Sequence, residues 1–241
     1  MHSQSVEDYL KAIYELEQKH GKAITTMLAE AMKVTPASVT GMIKKLAEMD
    51  LLEHTPYHGV KLTKAGQKIA LEMIRRHRLT ELFLVEILGV PWDRVHQEAH
   101  RIEHVLSDDI VERLDTVLGY PTTDPHGTPI PTPEGGIVET THIRLCDLEA
   151  GQRAVIAQVS DRDPDLLRYL DRLGLYPGTE FQLLSVDPFE GPLTLRIGRR
   201  KRSLGPKVAE HIYVDRIPLG EPRQPSPGSP ETGQEESMTD E

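Results

Sequence analysis

Residues 35–49 read TPASVTGMIKKLAEM, and the reading of this stretch decides the fold of the N-terminal part of the chain. Thr35 is an N-cap type of residue. Pro36 suits the first helical position, where its missing N–H has no intrahelical partner to lose. Val39, Met42, Ile43 and Leu46 then recur at helical spacing as one apolar stripe. Upstream, a short helix is expected over about residues 26–32. A longer one is expected from Ser5, with Tyr9, Leu10, Ile13 and Leu16 on its apolar side and Gly21 ending it. Ser5 and Asp8 read there as a capping box. Downstream, residues 51–55 and 60–63 flank a turn at Gly59 and predict a two-stranded hairpin, after which Thr63 caps a helix reaching about His77. Three helices followed by a hairpin make a winged helix-turn-helix pattern.

In that pattern the helix opening at Thr35 and Pro36 enters the major groove by its N-terminal end, whose free N–H groups suit a phosphate. Ser38 and Thr40 can hydrogen-bond base edges or phosphates, and Ala37 can touch a thymine methyl. Lys44, Lys45, Lys61 and Lys64 can hold the DNA backbone. The competing reading is a helical bundle with solvated lysines; the ordered succession of helix, turn, helix and wing favours DNA. The net charge of −10 argues against nucleic acid only as an average. Residues 1–78 carry 12 Lys and Arg against 9 Asp and Glu, and the acidic excess lies in the remainder.

Beyond the wing the helical pattern continues to about Leu118, broken around Gly89 and Pro91, with Ser107 capping its last helix. His77 and Glu81 stand four apart; His96, His100, Glu103 and His104 share one helical face. Imidazoles and carboxylates brought together between helices are costly to bury unless paired or metal-bound. This donor set has nitrogen and oxygen but no sulfur. It suits first-row divalent ions, and its carboxylates shift preference toward Mn²⁺ and Fe²⁺. Gln97 and Glu98 face elsewhere. Leu79, Leu82, Phe83, Val85, Ile87 and Leu88 are dense enough for a core face plus a second contact face, so a dimer is expected. Asp8 by itself reads as the capping-box partner. Asp124 and His126 by themselves read as turn residues of a Pro- and Gly-rich linker over 120–136, and Asp161 as one of a surface acidic run.

From about residue 141 the pattern changes to short β-type runs: 154–159, 180–186, 193–197 and 211–214, interrupted by a helix near 165–173. Strands separated by Gly and Pro turns predict a small barrel. Arg199 to Arg202 read as a solvated hairpin and Cys146 as a small apolar side chain. A single cysteine excludes an intrachain disulfide and a multi-cysteine zinc module, and fits a reducing, cytoplasmic setting. No apolar run approaches the ~20 residues of a membrane span, and the polar start carries no secretory pattern. The acidic stretch 218–241 is expected to be disordered.

Four stretches carry a resemblance: SVEDYLKAIYELE (5–17), TPASVTGMIKKL (35–46), RHRLTELFL (76–84) and VHQEAHRIEHVLSDDI (95–110). Through them the chain resembles the diphtheria toxin repressor family of metal-dependent transcription regulators, most of all its manganese-responsive members. The resemblance implies a mainly α chain with a C-terminal all-β domain. A winged helix-turn-helix domain would span 1–65, and a helical dimerisation and metal-binding domain 66–140. An SH3-like (FeoA-like) small barrel would span 141–217. It also implies a homodimer that binds a palindromic operator on double-stranded DNA when Mn²⁺ or Fe²⁺ is plentiful and represses metal-uptake genes, with no membrane and no further small-molecule substrate.

By position, one metal site would use Asp8, His77, His100, Glu103 and His104, and a second Glu81, His96, His126 and Asp161 with Asp124. Iron-responsive relatives tend to have Met at the position of Asp8 and Cys at that of His100; manganese-responsive ones have Asp and Glu. Asp8 therefore points to manganese, and so does Asp124, where some three-domain relatives carry Cys. His100 follows neither pattern, and its imidazole would loosen selectivity toward Fe²⁺, Co²⁺ or Zn²⁺. The alternatives are an iron-dependent repressor of the same family, a metalloenzyme built on the helical cluster, and a metal-independent DNA-binding protein.

Overall fold

Thr35 accepts a hydrogen bond from the Ser38 N–H at 3.3 Å and Pro36 opens the helix behind it, so the element that decides the fold starts as its sequence dictates. The computed structural model of the chain describes residues 3–55 and 59–218. The acidic stretch from 219 onward and the tip of the wing lie outside the described residues. Helices α1 (Gln4–His20), α2 (Thr25–Met32) and α3 (Pro36–Glu48) are followed by the wing strands β1 (Leu52–Thr55) and β2 (Gly59–Leu62). The two strands pair antiparallel with Leu52 opposite Leu62. Val60 N–H also reaches the Ala23 carbonyl at 2.9 Å, which ties the wing to the start of α2. A side chain at Gly59 (φ +96°) would meet that carbonyl oxygen at 2.4 Å, so the position requires glycine. Leu10, Ile13, Leu28, Val39, Ile43 and Leu46 form the core of this unit, closed by Ala70 and Ile74.

The backbone N–H groups of Val6 and Glu7 bond to the Ser3 carbonyl, so α1 starts before Ser5. Ser5 therefore lies inside the helix, and the Ser5–Asp8 capping box does not form. The helix capped by Thr63, α4 (Lys64–Glu86), also runs past His77 to the break before Gly89, because nothing between interrupts its apolar pattern. At ~1.5 Å per residue α4 is a spine about 35 Å long. Its first turns close the winged-helix core, and Leu79 and Leu82 pack with Ile130 of the following linker. Leu84 packs with Val95 and Ala99 of α5 (Val95–Ile102). Helix α6 (Asp108–Val117) follows, capped by Ser107.

The segment 120–136 is more than a spacer. It folds back along α4, where Arg75 donates to the Pro131 carbonyl and Arg78 to that of Pro129; Arg76 is held instead by Leu106 and Asp108 at the start of α6. A side chain at Gly127 (φ +86°) would meet the Ala157 carbonyl oxygen at 2.0 Å, so the linker lies directly on the β unit.

The β unit comprises β3 (Ile143–Arg144), β4 (Arg153–Val159), α7 (Pro164–Leu173), β5 (Glu180–Val186), β6 (Leu193–Ile197), β7 (Arg200–Leu204), α8 (Pro206–Ala209) and β8 (Ile212–Arg216). The strands form one antiparallel sheet in the order β3-β8-β4-β5-β6-β7. Among the described residues no β3–β7 ladder closes it, so the expected barrel is an open sheet. Edge strand β7 holds the basic residues Arg200, Lys201 and Arg202, a charge pattern that discourages further edge pairing. The β core of Ile156, Leu167, Leu170, Phe181, Leu183 and Leu195 also takes in Trp92, from the loop between α4 and α5.

Candidate metal centre and nucleic-acid interface

Helix α1 and the end of α5 meet at a first cluster of donors. Ligand atoms of Asp8, His100, Glu103 and His104 all lie within 4.8 Å of one another. Glu103, fully buried, is its hub. Its Oε1 is 3.0 Å from His100 Nδ1 and 3.4 Å from His104 Nε2, and Lys11 Nζ lies 3.2 Å from both of its oxygens. Asp8 Oδ1 stands 3.0 Å from His104 Nε2, yet both atoms are buried and neither has a hydrogen-bond partner. The other His104 nitrogen, Nδ1, is 2.7 Å from Glu7 Oε2. With the Nδ1 proton given to Glu7, Nε2 keeps its lone pair for a ligand role.

A second set centres on Glu81. His77, Glu81 and His96 form one group and Glu81, Asp124 and His126 another, both sharing the Glu81 carboxylate. His77 Nε2 is 2.9 Å and His96 Nδ1 3.1 Å from Glu81 Oε1; Asp161 of the β unit reaches His96 at 3.9 Å. His126 Nε2 donates to the Trp92 carbonyl at 3.1 Å, which leaves Nδ1 as the acceptor. That Nδ1 and Glu81 Oε2 are again buried atoms without a partner. Asp124 Oδ1 accepts from the N–H groups of His126 and Thr128, both at 2.8 Å, and thereby shapes the turn that presents the imidazole. Trp92 stacks over His126 with ring centroids 5.6 Å apart and meets Tyr176 at 5.0 Å.

The position-by-position expectation placed His77 in the first site. The geometry groups it with Glu81 and His96, while its Nδ1 bonds Glu103, so it stands between the two clusters. Burial and Lys11 pull the His77 pKa down, but the bonds to Glu103 and Glu81 prevail and raise it to about 9. For Glu103, burial pushes the carboxyl up and His77, Lys11 and His100 draw it down to about 2. Glu81 ends well below the usual range because His77 and His96 outweigh its burial. Asp124 goes the other way: burial and the neighbouring Glu81 charge lift it to about 6 against His126 and Arg78. Four unpartnered buried donor atoms in an all-oxygen-and-nitrogen set fit a hard-to-borderline divalent cation.

In the winged-helix unit, Thr35, Pro36, Ala37, Ser38, Thr40, Lys44 and Lys45 are all exposed along α3, while Val39, Ile43 and Leu46 face inward. Lys61 on β2 and Lys64 at the start of α4 are exposed as well. The Thr40 hydroxyl is engaged with the Pro36 carbonyl at 2.9 Å, and those of Thr35 and Ser38 with each other at 3.0 Å.

Sequence reasoning passed over Glu7, Lys11 and Trp92. Glu7 and Lys11 flank Asp8 in the quoted stretch, but their partners lie more than ninety positions away. The signal available was their spacing on the polar side of α1.

A winged helix joined to helices that carry carboxylate–imidazole clusters, with a β unit closing over one cluster, defines a metal-responsive DNA-binding regulator. Comparison with known proteins agrees. Residues 1–60 match "Iron dependent repressor, N-terminal DNA binding domain", 63–132 "Iron dependent repressor, metal binding and dimerisation domain", and 143–216 "FeoA domain". The iron-dependent repressor IdeR of Mycobacterium tuberculosis is 31% identical over 225 residues, spanning 88% of this chain and 97% of that protein. The diphtheria toxin repressor of Corynebacterium efficiens is 30% identical over 197 residues, 75% of this chain and 83% of that one. A solved manganese-dependent transcriptional repressor in complex with manganese superposes with a TM-score of 0.80 at 37% identity, covering 88% of this chain and all of that one. The chain belongs to the diphtheria toxin repressor family of metal-dependent transcriptional repressors. These are DNA-binding repressors and not enzymes, which sets aside the metalloenzyme alternative. No described helix is long and apolar enough to cross a membrane.

Proposed function

We propose that the protein is a manganese-dependent repressor of metal-uptake genes, acting in the cytoplasm as a metal-activated homodimer on a palindromic operator. The observation that carries this reading is the seat of Asp8. It projects from α1 of the winged-helix unit against His100, Glu103 and His104 of the helical unit. When bound, a divalent ion supplies positive charge that these four side chains share. Asp8 then ties α1 to α5 and fixes the DNA-binding unit (1–65) against the helical unit (66–140). Glu7 orients His104, and Glu81, Asp124, His126, His96 and Asp161 do the same work where the helical unit meets the β unit (141–217). In a symmetric dimer that fixed orientation sets the separation of the two α3 helices, which a palindromic operator requires to be about 34–36 Å or a multiple of it. Thr35, Pro36, Ala37, Ser38 and Thr40 would face the groove, and Lys44, Lys45, Lys61 and Lys64 the phosphates.

Exposed Ile87, Leu88, Val105, Ile110 and Val117 give the helical unit the apolar surface that a homodimer would cover. Manganese is favoured by the hard oxygens of Asp8 and Asp124. The second reading, an iron-dependent repressor, draws on His100, whose imidazole suits Fe²⁺, Co²⁺ or Zn²⁺ as well. The deciding experiment is an operator titration in Mn²⁺, Fe²⁺, Co²⁺ and Zn²⁺, with iron kept ferrous under anaerobic conditions. Operator affinity should rise most with Mn²⁺. Equal affinity with and without every metal would remove the reading, and a preference for Fe²⁺ would select the second one. By linkage, operator DNA must tighten metal binding by the same factor.

A further inference from the structure

The first cluster contains one group that no ligand role explains. Lys11 stands one helical turn beyond Asp8 on α1, with a side chain only 14% exposed. Its ammonium lies symmetrically, 3.2 Å from each oxygen of the fully buried Glu103. The simple account is a buried ion pair that keeps Glu103 from being left uncompensated. Yet Glu103 is also the carboxylate on which His77, His100 and His104 converge, and a divalent ion held by Asp8, His100, Glu103 and His104 would draw on the same two oxygens. A fixed positive charge within a few ångströms of a dication raises its energy even with strong screening. The same charge joins α1 to the end of α5, the joint that Asp8 spans.

Taking the metal reading above as its basis, we propose that Lys11 is a tethered cation that competes with the divalent ion for Glu103. It sets the metal concentration at which the first cluster fills and holds α1 against α5 below that concentration. Two effects of opposite sign follow. Removing the ammonium should tighten the ion at the first cluster. It should also destabilise the protein before the ion is added, because Glu103 then lacks its counter-charge.

The test is calorimetric titration of the full-length protein with Mn²⁺, together with thermal unfolding before and after loading, for wild type, Lys11→Met, Lys11→Gln and Lys11→Arg. The Asp8→Ala variant identifies the binding step that belongs to the first cluster. Lys11→Met should bind Mn²⁺ at that step at least about tenfold more tightly, with Lys11→Arg staying close to wild type. The unloaded Lys11→Met protein should melt lower and gain more on adding Mn²⁺ than wild type does. Should Lys11→Met not fold, Lys11→Gln, which keeps length and polarity, carries the same expectation. Unchanged or weaker Mn²⁺ affinity in the neutral variants overturns the proposal. Wild-type protein that binds no Mn²⁺ would instead overturn the functional reading on which it rests.

Discussion

The two donor clusters use the same chemistry at different joints. At the first, the His100 side chain is 47% exposed, and the elements that meet belong to the DNA-binding unit and the helical unit. At the second, His96 is likewise 51% exposed, but Glu81, Asp124 and His126 are all buried, beneath a linker and a β unit that must be docked before the donors converge. Both clusters thus keep one imidazole open to solvent, but only the second is assembled by folding of the linker onto α4. The difference teaches that the second joint depends on a docked linker and β unit, whereas the first needs only α1 and the end of α5 to meet.

The largest perturbation of this contrast is expected from Glu103→Ala. It removes the hub of the first cluster, leaves Lys11 without its partner and His77 with Glu81 alone, and breaking such a buried pair costs about 3–5 kcal/mol. Denaturant unfolding should show that loss. Mn²⁺ titration should show the first binding step gone and the second retained; loss of both steps in a folded variant would mean that the clusters are not independent. A smaller and more selective change is Glu7→Gln, which keeps the fold but weakens the orientation of His104. It should lower Mn²⁺ affinity ~10–100-fold at the first cluster only; an equal loss at both clusters would contradict the assignment of Glu7.

The smallest effect is on pH dependence, and it should mark the second cluster. Asp124 is raised from 3.8 to about 6, so the folded chain takes up a proton there that the unfolded chain does not. Without a bound ion, stability should rise as the pH falls through that window, whereas a cation needing the charged carboxylate should be released over the same range. Asp124→Asn should flatten both profiles between pH 4 and 6. Unaltered profiles would assign the proton to another group.

Much of this arrangement was legible in the sequence because it is local. The Thr35-Pro36 start, the stripe of α3 and the i, i+4 spacings of His77 with Glu81 and of His96 with His100 are set within a few residues. What escaped depends on contacts across the chain. Nothing near Asp8 tells whether it caps a helix or faces α5; that depends on α1 starting behind Ser3. Glu7 and Lys11 acquire meaning only when α5 arrives against α1. The Pro- and Gly-rich run 120–136 has the composition of a spacer, yet the Asp124 side chain knits a turn within it and buries His126. Strand β7, Arg200–Leu204, is poor in β-forming residues and is recruited by its ladder to β6.

Trp92 is the one tryptophan of the chain. It lies against His126 and Tyr176, its carbonyl holds the His126 ring, and its indole is embedded in the β core. Excited at the red edge of its absorption, the protein therefore emits from a single place, the seam between the second cluster and the β unit. The molecule carries its own optical gauge of that seam, one that needs no attached dye and does not look directly at the joint around Asp8.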